Sequence, residues 1–255
     1  MAKDNKEDKT EKNKKSGNEE NGENKKQEQN KANTEDFKRL IKYIERLQKR
    51  YTFAIHSFYA WGSLQEIKAP NIVRKDIAKE NVRVLRRYNN FFTSAENALQ
   101  VHFSLELAKM FDNSNQSLHI DKIINYTESN IEKLTAKEFR EYSKKQDRTF
   151  IKELVKKYKK VNHSDIKKIR EMRNKHEKSI EELINYRNEY LAHDDIKKNS
   201  PPKISPAEIK DLFRIILEIL NLISGRLNHE EWFYDHVEDG VKSDTCSIID
   251  TLRQK

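Results

Sequence analysis

The sequence predicts an all-α fold: a helical bundle of long antiparallel helices with a disordered N-terminal tail. Three observations carry the fold class. Of 255 residues 36% are charged, and 5 Gly and 4 Pro are too few breakers to punctuate many short strands. Apolar residues recur at three- and four-residue steps along most of the chain. Cys246 is the only cysteine, which excludes an internal disulfide or a Cys-based zinc site and leaves a hydrophobic core as the source of stability. No run approaches the roughly 18 apolar residues of a membrane span, and the amino terminus lacks the apolar centre of a signal peptide, so a cytoplasmic protein without a membrane partner is expected.

Residues 1–34 hold 9 Lys against 8 Asp plus Glu, with Ala32 the one apolar residue between Ala2 and Phe37. Such a polyampholyte cannot bury enough surface to offset its ordering entropy, and disorder is expected. A helical domain over 35–227 and a C-terminal extension over 228–255 follow. Leu40, Ile41, Ile44, Leu47, Tyr51, Ala54, Phe58 and Trp61 predict one long helix, broken at Ala69-Pro70. A second is expected from about Asp76 to Phe111, with His102 as a hydrogen-bonded core residue and Asn113-Ser114-Asn115 as its stop. Ser117 is the expected cap of a short helix, and Thr135 to Glu138 form a capping-box pattern ahead of Phe139, Tyr142, Ile151, Leu154 and Tyr158. Ser164 starts the next predicted helix, whose stripe of Ile166, Ile169, Ile180, Leu183 and Tyr190 also carries Arg173, His176 and Arg187. Charged groups on an inward face require a partner, a cleft or an interface. Ser205-Pro206-Ala207-Glu208 opens the most apolar helix, whose stripe is wide enough for burial on two sides, one of them against a partner chain. A short helix around Ser247–Leu252 closes the chain.

The positive charge is concentrated: Lys144 to Lys178 contains 14 Lys or Arg against 5 Asp or Glu, an excess equal to the +9 of the whole protein. A phosphate-backbone ligand would use such a stretch, and Lys167, Lys168, Arg173, Lys175 and His176 are its candidate substrate contacts; a solvated helix face is the plainer alternative. Chemistry is suggested by Arg187-Asn188-Glu189-Tyr190-Leu191-Ala192-His193-Asp194, which places a permanent cation, an amide and an imidazole at a helix end. Metal-free RNA cleavage needs a base for the 2′-hydroxyl, a cation for the phosphorane and an acid for the leaving oxygen. On a straight helix Arg187 and His193 stand about 120° and about 9 Å apart, so they converge only if the helix unwinds near Ala192 or two copies of the motif meet across a twofold axis. The alternative is a helix-end ion pair with Asp194 or Asp195. Arg170 and His176 repeat the spacing without the Asn or the Ala. His229 and His236 match no metal-site spacing, and neither a Gly-rich phosphate loop nor a Ser-His-Asp arrangement is legible.

The string Arg187-Asn188 through Ala192-His193-Asp194 resembles the Arg-polar-x4-His signature of HEPN domains, in the variant of the abortive-infection AbiU-type branch. Leu105 to Asp112, with its Met-Phe-Asp turn, followed by Ser117-Leu118-His119-Ile120, is similar to the same branch, and the likeness covers roughly residues 37 to 225. The resemblance implies a HEPN-like helical bundle, a homodimer, and a metal-independent endoribonuclease leaving 2′,3′-cyclic phosphate and 5′-hydroxyl ends. By it, Arg187 would hold the scissile phosphate, His193 would act as base or acid, and Asn188 would position both. It implies RNA as substrate, no cofactor and no metal, and an antitoxin or other defence-system protein as partner. Glu189 replaces a residue often basic in this branch, and Asp195 stands where toxins paired with a nucleotidyltransferase carry a modifiable tyrosine. A non-catalytic helical module that binds RNA or protein is the alternative function.

Overall fold

The computed structural model describes residues 8–114, 116–144, 150–192 and 204–254, and every regular element among them is helical. The chain is all-α, as its composition and periodicity predict. Helix α1 (Asp8–Glu66) is the axis of the bundle, and its backbone reaches back into the polyampholyte segment. The core begins only at Phe37, the first buried residue among those described; from there Leu40, Ile44, Leu47, Ala54 and Phe58 bury one stripe at helical spacing.

The second predicted helix is two. Helix α2 (Lys75–Arg87) ends at Tyr88, where φ −114° and ψ 35° leave the α region, and α3 (Asn89–Phe111) starts immediately afterwards. Asn89 and Asn90 are poor helix formers, and the two halves have different partners. Helix α2 packs on α10 (Val237–Arg253), whereas α3 packs along α1. The break also changes which face is buried: α3 buries Phe103, Leu107, Met110 and Phe111, and His102 is exposed, hydrogen-bonded through Nδ1 to Ser57 at 2.9 Å but outside the core.

Helix α4 (Ile120–Ser129) is capped by His119, whose Nδ1 accepts from the Lys122 backbone N–H at 3.3 Å. Ser117, the expected cap, instead donates to the carbonyls of Asp112 and Ser114 and tightens the turn between α3 and α4. A 3-10 turn at Ile131–Lys133 leads to α5 (Ala136–Ser143), capped by Thr135 as expected, and then α6 (Ile151–Lys157). Helix α7 (His163–Asn174) opens on a capping box of Asn162 and Asp165, one residue ahead of the expected Ser164 start. It stops at Lys175, and α8 (Glu177–Tyr186) resumes after His176, so the predicted single helix is broken there. The break lets α7 meet α4 while α8 meets α3.

Helix α9 (Pro206–Leu227) has the Ser205–Glu208 capping box and N-terminal proline read from its sequence. Its wide stripe is buried within this chain, Ile215 and Ile219 included, against α1, α7 and α8. Helix α10 is longer than the short terminal helix expected. Polar residues and Gly240 obscure its period, but Thr245 and Ile249 are buried where it meets α1 and α2, beside Leu64, Ile67, Val84, Leu85 and Phe92.

Candidate functional site

Arg187 lies where α8 ends. The next residues, Arg187–Ala192, form a π-helical turn, a departure from α geometry that is uncommon and frequent at functional sites. Tyr186 fixes the approach: its hydroxyl accepts from Gln100 Nε2 of α3 at 3.2 Å, and burial raises its phenol above the usual range despite that bond. The Arg187 guanidinium is held on two sides. Nη1 donates to Asp112 Oδ2 at 2.6 Å, while Nε and Nη2 donate to Asn188 Oδ1 at 3.0 and 2.8 Å. Asp112 is the C-cap of α3, so the ion pair ties the end of α8 to the end of α3. The Arg187 side chain keeps 18% of its surface exposed, and Nη1 and Nη2 each carry a second N–H beyond the bonds to Asp112 and Asn188.

His193 lies outside the described residues, as do Asp194 and Asp195. The structure therefore brings together Arg187 and Asn188, and adds Asp112, which sequence reasoning did not pick as a charge partner. The signal available was Asp112's place in the Met-Phe-Asp turn; pairing it with a residue 75 positions away required the fold.

The predicted substrate contacts divide. Lys167 and Lys168 are exposed on α7, Lys167 lying 4.0 Å from Glu171. Lys175 is exposed at the α7 C-cap and His176 is the N-cap of α8, a half-buried junction residue. Arg173 is different: its side chain is only 14% exposed and pairs with Asp121 at 3.5 Å and Glu177 at 2.8 Å. Several cations of the basic stretch are matched by acids outside it, Arg170 by Glu128 and Lys160 by Glu132 among them. The local excess of charge is thus smaller than the sequence count.

Arg170, Arg173 and His119 line a polar cavity between α4 and α7, adjoining the turn after Asp112. His119 is 7% exposed, and burial holds its imidazole below the usual range, Asp121 and Asp112 pulling the other way and Lys122 adding to the effect. Nδ1 accepts the capping bond, so the neutral ring carries its proton on Nε2. His229 has a structural place: at φ 57° it ends α9, Nε2 bonds the Leu154 carbonyl at 3.0 Å and the ring lies 5.5 Å from Phe139. No group of three metal-ligating side chains occurs among the described residues, and no helix among them is long and apolar enough to cross a membrane.

The all-α bundle places Arg187 and its amide neighbour, the start of the motif that resembles the HEPN signature, at the end of a late helix. The chain belongs to the HEPN_AbiU2 family, whose model, described as AbiU2, matches residues 37–245. That span starts at the first core residue of α1 and continues into α10. Among curated proteins and solved structures, none matches the chain.

Proposed function

We propose that the protein is a metal-independent endoribonuclease of the phage-defence or toxin type, working as a cytoplasmic homodimer. Membership of the HEPN_AbiU2 family supports the class. The observation that carries the reading is the Arg187 guanidinium, oriented by Asn188 and Asp112 at a π-helical turn that leads to His193. In the reaction, His193 takes the 2′-hydroxyl proton of RNA as that oxygen attacks the adjacent phosphorus. Arg187 donates to the equatorial oxygens of the phosphorane, and the 5′-oxygen leaves with a proton from the second imidazole of the dimer. The products are a 2′,3′-cyclic phosphate and a 5′-hydroxyl.

The purified protein is expected to cleave RNA in EDTA, and His193→Ala to slow cleavage by about 10²–10⁴-fold, the usual worth of a general acid or base. Equal RNA decay by wild type and His193→Ala sinks the ribonuclease reading. One observation favours a second reading, a non-catalytic RNA- or protein-binding module: Arg187 is already engaged by an acid and an amide of its own chain. That reading predicts salt-sensitive RNA binding without cleavage, and loss of the dimer when Arg187 is changed.

A further inference from the structure

The cavity between α4 and α7 has a volume of about 460 Å³, within the range of small-molecule sites, and it is not part of the Arg187–His193 motif. Three amides, Asn113, Asn125 and Asn174, and three cations, Lys122, Arg170 and Arg173, line it. Asp121 also lines it, but that carboxylate is engaged by Arg173. Arg170 uses Nη2 for Asn125 and Glu128, and Arg173 uses Nε and Nη1 for Asp121 and Glu177, so Arg173 Nη2 and Arg170 Nη1 retain donors among the described contacts. His119 supplies a further observation. It is more than nine-tenths buried as a residue, lines the cavity, and uses Nδ1 for the α4 cap, which leaves Nε2–H as the ring's other polar group. An imidazole N–H is a donor that an acceptor on a ligand can use.

The cavity and the motif share one turn. Asp112 binds Arg187, its charge acts on His119, and the next residue, Asn113, lines the cavity. From this juxtaposition we propose that the cavity is a nucleotide subsite, holding one residue of the RNA strand next to the phosphate engaged by Arg187. The inference rests on the ribonuclease reading and adds to it where the strand runs and what reads it. Amides recognise the hydrogen-bonding edge of an unstacked base, while Arg and Lys neutralise its phosphate and the His119 Nε2–H fills an acceptor site. Among the described residues no Phe, Tyr or Trp lines the cavity and its amides dominate the polar edges, so one position beside the cut should show a base preference.

The test uses the full chain carrying His193→Ala, which leaves RNA intact, and reads the fluorescence anisotropy of a short labelled single-stranded RNA. Asn174→Leu changes an exposed residue at the end of α7. His119→Asn keeps a good N-cap for α4 while withdrawing the imidazole donor. Each is expected to weaken RNA binding by about tenfold, and nucleoside 5′-monophosphates, more than inorganic phosphate, should displace the RNA from the parent chain. RNA bound equally tightly by the parent and Asn174→Leu, with no displacement by mononucleotides, overturns the subsite and leaves the ribonuclease reading in place. Saturable mononucleotide binding that does not compete with RNA also overturns it, assigning the cavity to a free nucleotide. A parent chain that binds no RNA overturns the ribonuclease reading and the subsite together. Should His119→Asn unfold, Asn174→Leu decides.

Discussion

Removing the carboxylate of Asp112 tests whether α8 is anchored to α3 through Arg187, and it should move stability and RNA affinity in opposite directions. A hydrogen bond to a charged group contributes about 1.5–3 kcal/mol when buried, and an exposed ion pair about 0.2–1 kcal/mol. With Arg187 18% and Asp112 31% exposed, the pair falls between these limits, at about 1 kcal/mol. Asp112 also sits at the C-terminal end of α3, where the helix dipole disfavours an anion by about 0.3–1 kcal/mol, so Asp112→Ala alone understates the pair. A double-mutant cycle with Arg187→Gln isolates it. The expected coupling of about 1 kcal/mol corresponds to roughly 2–4 °C in Tm for a domain of this size, read by circular dichroism melts at low salt. In the same variant Nη1 of Arg187 is released to a phosphate, and RNA affinity should rise severalfold. Additivity of the two single variants within about 0.3 kcal/mol would refute the anchoring role, and unchanged RNA affinity would refute the competition between Asp112 and phosphate.

Two further outcomes follow from the packing. Glu208 closes the α9 capping box, and the backbone N–H and hydroxyl of Ser205 hold its carboxyl below the ordinary value of 4.5. A folded-state value below the unfolded one means the contribution is complete above about pH 4.5 and is lost as pH falls through the folded value. Glu208→Gln should therefore lower the urea midpoint at pH 7, and the gap from wild type should close as pH falls through the folded value; a gap independent of pH would contradict the charged cap. Ile219 is fully buried on the inner side of α9, so Ile219→Ala should cost about 2–5 kcal/mol by chemical denaturation, whereas a cost below 1 kcal/mol would mean that this face is not packed within the chain.

Much of the fold was legible because helix formation and capping are local. The stripe from Phe37 to Phe58, the Thr135 cap and the Ser205-Pro206-Glu208 start each follow from residues within one or two turns of one another. The breaks at Tyr88 and at Lys175-His176 were not legible. Neither contains Gly or Pro, and both arise because successive helical segments find different partners. His102 was misplaced for the same reason, since a break upstream rotates every later position relative to the core. The capping role of His119 was hidden behind Ser117, a better cap by residue type that the turn uses elsewhere.

For the candidate site, the sequence by itself determined the all-α class, the Arg187-Asn188 pair near a helix end and the concentration of basic residues before it, because these are matters of residue type and spacing. Tertiary structure decided that Arg187 meets Asp112, that Arg173 turns into a cavity while Lys167 and Lys168 face solvent, and that His119 is buried beside them. The physical reason is that charge pairing and desolvation act through space over a few ångströms. Asp112 and Arg187 are distant along the chain and 2.6 Å apart only after α3 and α8 have packed.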